Sequence, residues 1–142
     1  MQRLVALCLL ASLPTCISCG SAGPERLATY PVTGEVYIDG KPGGDVGVAL
    51  HRVGGVDSNH PTVTTTRTEE NGKFSLSTYE AGDGAPEGDY VVTFAWDELD
   101  KLSMAYSNDK LKGKYSDPDK SEHKVKVAGA AVDLGRIELS TK

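Results

Sequence analysis

Between Tyr30 and Leu139, apolar side chains recur at every second position in short runs separated by turn residues, the pattern of strands buried on one face. Tyr30 to Ile38 aligns Val32, Gly34, Val36 and Ile38, and the stretch from Asp39 to Gly44 breaks the run with Pro42 and its glycines. Val46 to Val53 aligns Val46, Val48 and Leu50, and Thr62 to Thr68 is rich in β-branched Thr, which suits a half-exposed strand. Lys73 to Thr78 turns Phe74 and Leu76 inward. Asn71-Gly72 before it predicts a type I′ hairpin turn, whose two central residues need positive φ. Asp89 to Trp96 places Tyr90, Val92, Phe94 and Trp96 on one face and is the expected centre of the core. His123 to Val127 and Val132 to Leu139 close the body. The latter run changes phase between Leu134 and Ile137, which predicts a bulge at Gly135. These seven runs, 8 to 12 residues apart outside one long loop, predict an all-β fold, a seven-stranded antiparallel β-sandwich over residues 30–140.

Two local expectations accompany the strands. Tyr90, two residues after Gly88, is placed to bond its hydroxyl to a loop carbonyl, as tyrosine corners do. Asp97 to Ser121 is charged and irregular, with Gly113 and Asp117-Pro118 as punctuation, and Leu99 and Leu102 at helical spacing predict a helix of one or two turns.

The N-terminus follows a different pattern. Arg3 precedes an apolar run from Leu4 to Leu13, and small residues follow, which is the layout of a cleaved export signal over residues 1–18. Ten residues rising about 1.5 Å each cover only half of a ~30 Å hydrocarbon core, too little for a spanning helix. The three cysteines, Cys8, Cys16 and Cys19, all fall in or at the edge of this leader, and Gly20 to Lys142 has none. Cys16 and Cys19 form a C-x-x-C pair, but a zinc site needs further ligands and the nearest histidine is His51. Cys19, with Ser18 before it and Gly20-Ser21 after it, resembles the lipobox cysteine of bacterial lipoproteins, where the leader is cut just before a diacylated Cys. The departure is Cys16 where that family has Leu; Cys16, preceded by Leu13 and Thr15, is the alternative attachment point. Residues 19–29, small, polar and aperiodic, then form a flexible tether.

Composition narrows the partners. Fifteen Lys plus Arg against 20 Asp plus Glu give the 142-residue chain a formal charge of -5, the wrong sign for nucleic acid. His51, His60 and His123 do not have metal-ligand spacing, and both His51 and His123 read as lying on the outward phase of their strands. Asp83, Glu87 and Asp89 supply oxygens in a Gly-rich loop but lack the pattern of a calcium loop. No Gly-x-Ser-x-Gly elbow and no Ser, His and acid arrangement is visible, so the expectation is no catalytic residue, no metal and no cofactor. Trp96, Tyr106 and Tyr115 flank or occupy the long loop. If exposed together they would form a ligand surface; if packed inward, they close the end of the core.

Several segments together resemble a known family: Gly34-Glu-Val36; Gly40-Lys41-Pro42 leading to Val46-Gly47-Val48; Thr68 through Gly72 to Phe74; and Gly88-Asp-Tyr90-Val-Val92. They resemble the carboxypeptidase regulatory-like domain, which implies a transthyretin-like (prealbumin-like) seven-stranded sandwich over roughly Tyr30 to Leu139. With the lipobox, the chain looks like a small bacterial lipoprotein carrying this domain. Transthyretin-like enzymes that hydrolyse hydroxyisourate end in Tyr-Arg-Gly-Ser, whereas this chain ends Glu138-Leu-Ser-Thr-Lys142, so that activity is not implied. The expectation is therefore a non-catalytic, extracytoplasmic module of the cell envelope, held to a membrane by lipid and meeting an envelope protein or polysaccharide. A carbohydrate- or peptide-binding accessory module is the first alternative, and a metal-dependent enzyme the second.

Overall fold

The alternating runs form strands in the computed structural model of the chain, which describes residues 25–142 apart from Lys101. The leader, its cysteines and the start of the tether lie outside the described residues. The strands are β1 (Thr29–Tyr30), β2 (Val32–Ile38), β3 (Lys41–Pro42), β4 (Gly47–Arg52), β5 (Thr64–Arg67), β6 (Lys73–Ser75), β7 (Ala85–Pro86), β8 (Gly88–Ala95), β9 (Glu98–Asp100), β10 (Ala105–Ser107), β11 (Lys124–Val127) and β12 (Val132–Leu139). No helix forms among the described residues. Among the described residues twelve strands form where seven were expected; the additional β1, β3, β7, β9 and β10 have two or three residues each.

One antiparallel sheet runs in the order β11-β8-β4-β5. The other runs β12-β2-β3, with β6 also paired to β2. The inward positions of both sheets meet in one apolar core that includes Val36, Val48, Phe74, Val92, Phe94, Val127 and Leu139, a sandwich-like arrangement. Burying each such Val or Leu contributes about 1.5–3 kcal/mol, which is why period-2 alternation specifies the register. Leu111 is also fully buried, although it lies in the irregular segment.

Three details differ from the sequence expectation. The β2–β12 pair is parallel, because β12 follows β11 of the opposite sheet and so enters beside β2 without a hairpin. The register of that pair shifts between Asp133 and Arg136, and Gly135 has φ of +64°, which is the predicted bulge. The Asn71-Gly72 turn is not type I′, since only Gly72 of the two has positive φ. Glu69 accepts from the Gly72 amide at 2.8 Å and donates to the Lys73 carbonyl at 2.8 Å, a three-residue loop ending in a left-handed glycine. A Cβ at Gly72 would come within 2.4 Å of the Val36 carbonyl oxygen, so this turn is seated directly on β2.

The third difference is at Leu99 and Leu102, where a β9–β10 hairpin replaces the expected helix. The Asp100 carboxylate accepts from the Leu102 amide at 2.8 Å, and Met104 adopts φ of 54°; both favour a tight turn over a helix with no apolar stripe to bury. The hairpin pairs with neither main sheet. β8 sets the distance between the two ends of the domain. Its start adjoins Pro86 and, through the β1–β7 pair, the tether; its end adjoins Trp96 and the hairpin. Eight residues at about 3.3 Å each separate these ends by roughly 25 Å.

Candidate functional site

The distal end is built around Arg67. Gly47 of β4 faces Arg67 of β5 on one side and Ala95 of β8 on the other, so the three strands finish together. Beyond them Arg67 donates from Nε to Asp45 Oδ1 at 2.5 Å and from Nη2 to the Asp45 carbonyl at 2.6 Å. Its guanidinium lies 4.4 Å from the centroid of Tyr106, in cation–π range. One side chain thereby ties the β3–β4 loop to the β9–β10 hairpin.

The three aromatic residues singled out by sequence do not share one exposed face. Trp96 is half-buried against the core, and its indole N–H donates to the Gly44 carbonyl at 3.2 Å. Tyr115 is also packed against the core, its hydroxyl accepting from the Ser140 amide at 3.0 Å. Both close the end of the core. Tyr106 points outward on the hairpin and is 52% exposed, together with Leu102 at 98% and Met104 at 73%. Periodicity gave no sign of this apolar tip, because a two-by-three-residue hairpin has no buried face to show it. Asp109 was also missed: its carboxylate accepts from the amides of Trp96, Leu111 and Gly113 at 2.8–2.9 Å and so organises the irregular segment.

The other candidates have structural employment. Burial pushes the Asp83 carboxyl up, but the amides of Thr78, Tyr79 and Glu80 outweigh it and hold the group below its ordinary 3.8. Glu87 is exposed, and Asp89 lies 4.0 Å from Lys126. His51 Nε2 is 2.8 Å from Thr93 Oγ1, and His60 lies beside Asp57 at 3.6 Å. His123 faces inward, not outward: it shares the phase of Val125 and Val127, and its ring meets Phe94 edge-on at 5.3 Å. Among the described residues no three His, Cys, Asp or Glu side chains are placed to hold a metal ion.

The tether end carries two adjoining grooves. A cleft of about 310 Å³ is lined by His51, Arg52, Val56, Asp57, Val63 and Tyr90 among others. A more open groove of about 490 Å³ runs from Leu27, Ala28 and Tyr30 to Arg52, Asp57 and His60. Arg52 and Asp57 belong to both. Tyr90 donates its hydroxyl to the Pro86 carbonyl at 2.9 Å, the expected corner bond. Burial pushes this phenol above its ordinary value, against the opposing pull of the Arg52 charge. Arg52 forms no ion pair among the described residues.

No protein-family model and no curated protein matches the chain. Solved structures to which the chain is similar include a lipoxygenase and a pilin. A 9R-lipoxygenase from Cyanothece PCC8801 aligns with a TM-score of 0.44 at 15% identity, over 79% of this chain and 16% of the lipoxygenase. BcpA, the major pilin subunit of Bacillus cereus, aligns with a TM-score of 0.45 at 15% identity, over 79% of this chain and 30% of the pilin. The chain thus spans less than a third of either protein, and the likeness concerns a β-rich fold alone.

Proposed function

We propose that this chain is an extracytoplasmic lipoprotein of the cell envelope, acylated at Cys19, whose transthyretin-like sandwich is a non-catalytic interaction module. The observation that carries the interaction role is the β9–β10 hairpin, which exposes Leu102, Met104 and Tyr106 about one strand length from the tether. Exposed large apolar side chains gathered on a protruding element favour contact with another macromolecule. The leader, the three cysteines confined to it and the small polar tether support the anchor. The seven strands that correspond to the alternating runs, β2, β4, β5, β6, β8, β11 and β12, are divided between two sheets and support the transthyretin-like assignment.

Of the binding alternatives, a peptide or protein partner fits better than a polysaccharide. Trp96 and Tyr115, the rings that would stack on a sugar, are engaged with the core, while the hairpin offers apolar side chains. The test has two arms. Palmitate labelling and intact mass follow the anchor: label retained in Cys19→Ser and lost in Cys16→Ser moves the attachment point, and an unmodified cytosolic product starting at Met1 overturns it. For the hairpin, cross-linking to envelope proteins is compared between the native chain and a Leu102→Ser, Met104→Ser double variant. These exposed changes should alter stability by less than about 0.5 kcal/mol and abolish the cross-link. An undiminished cross-link in the double variant rules the hairpin out as the contact.

A further inference from the structure

The tether end has an exposed apolar surface of its own. Val53, Val56 and Val63 are 58%, 71% and 75% exposed, all in or beside the loop joining β4 to β5. This loop lies next to the tether, since one groove is lined by Leu27, Ala28 and Tyr30 from the tether side and by Asp57 and His60 from the loop. Half-buried Arg52 lines both grooves, one of them together with Val56 and Val63, and has no ion-pair partner among the described residues. We propose that this end of the domain rests on the membrane that holds the anchor, with the valines in the headgroup layer and Arg52 pairing with a lipid phosphate. This rests on the lipid anchor proposed above.

Chain length brings the two together. From Cys19 to Glu25 are six residue steps, which at no more than about 3.5 Å each hold the first described residue within roughly 20 Å of the acylated cysteine. The headgroup region itself is about 5–8 Å deep on each side of the hydrocarbon core. A loop adjoining the tether is therefore kept at high local concentration beside that layer, and modest apolar contacts suffice to dock it. The planar fork of Arg matches the oxygens of a phosphate, and the pair strengthens where water is partly excluded.

The charges facing this end decide its lipid preference. Arg26 is paired with Glu80 and Lys126 with Asp89, Asp57 lies 3.6 Å from the His60 ring, and Glu25 and Glu87 are exposed acids. There is no cationic excess, so docking depends on the valines and one phosphate contact. It should vary little with salt or with the fraction of anionic lipid.

Gly20 to Lys142 contains no cysteine, so Val56→Cys and Met104→Cys each add a single site for an environment-sensitive fluorophore. The full acylated chain, its modification verified by intact mass, is placed in phosphatidylcholine vesicles carrying spin-labelled lipid. The expected result is a blue shift and quenching of the probe at 56 and neither at 104. Adding Val63→Asp or Arg52→Gln should return the probe at 56 to water-like emission. Water-like emission at both sites of an acylated chain overturns the docking proposal alone, and so does a blue shift without lipid quenching, which means another occupant covers the loop. An unacylated mass instead removes the anchor on which the proposal rests.

Discussion

The two ends of the sandwich are held by different means. At the tether end, the loop after β6 is bound from several sides: Asp83 takes three backbone amides, Thr78 Oγ1 donates to the Gly84 carbonyl at 2.7 Å, and the Gly84 amide donates to the Leu76 carbonyl at 2.9 Å. Tyr90 adds its bond to Pro86. At the distal end, the β9–β10 hairpin pairs only with itself; Arg67 stacks on its Tyr106 and donates to the Asp97 carbonyl at 3.4 Å, and its base is closed by the Trp96 amide on Asp109. Backbone closed by many buried partners opens only with the whole domain, whereas an element with few partners opens alone. The end nearest the tether is thus a fixed base, and the far end carries a separable arm.

The severest way to test this contrast is to strain one glycine at each end. Gly84 has φ of +86°, and a Cβ there would fall 1.7 Å from the Tyr30 carbonyl oxygen, so Gly84→Ala must displace the backbone of the β1–β7 pair. The expected loss is about 3 kcal/mol or more, read as a fall in the urea midpoint. Gly113, in the irregular segment near the distal end, has φ of +73° and only Ser116 Oγ within reach, at 3.6 Å. Gly113→Ala then carries only the left-handed penalty of about 1–2 kcal/mol. Equal losses at the two sites would mean that the backbone at the tether end is no more constrained than that at the distal end.

Asp83→Asn probes the base more gently. The amide keeps one acceptor oxygen where the carboxylate offers two, and the expected loss at neutral pH is about 1–2 kcal/mol. The sign with pH follows from the depressed folded-state value. Stability from the Asp83 carboxylate is complete above its ordinary 3.8 and is lost as pH falls below it, through the lower folded value. The gap between native and Asp83→Asn midpoints should therefore narrow on acidification below about pH 4. A constant gap would locate the effect in shape and not in charge.

How far the sequence could be read depends on whether a residue's partner is near or far along the chain. Alternation exposed β2, β4 and β8 because one face of each is buried, and a single phase change revealed the bulge at Gly135. The parallel pairing of β12 with β2 left no such trace, since strand direction there depends on how the chain crosses between sheets. Leu99 and Leu102 imitated a helix through spacing alone, while the turn depends on one carboxylate, Asp100, capturing amides two and three residues ahead. His123 had the right information beside it: its phase is that of Val125 and Val127, which places it inward against Phe94. Arg67 was the hardest to foresee. Its partners Asp45 and Tyr106 lie 22 and 39 positions away, and nothing local distinguishes it from a solvent-facing Arg at a strand end.

The smallest predicted effect concerns that residue and sharpens the contrast between base and arm most directly. Arg67 holds Tyr106 through its charged plane and Asp45 through a fork of two donors, so Arg67→Ala removes both attachments, while Arg67→Lys keeps the charge but not the fork. Since Asp45 is largely exposed, its ion pair contributes little to global stability, and the stack on Tyr106 is worth about 0.5–1 kcal/mol. The global midpoint should therefore shift by less than about 1 kcal/mol in either variant. The hairpin should respond more visibly: losing about 1 kcal/mol of local stability raises the population of its open form roughly five-fold. Amide exchange within β9–β10 should accelerate by that factor in Arg67→Ala and by less in Arg67→Lys, while amides of β2 and β8 keep their protection. If hairpin exchange is unchanged in Arg67→Ala, Arg67 does not hold the arm. If β8 amides accelerate in step with it, the arm is not separable from the domain that carries it.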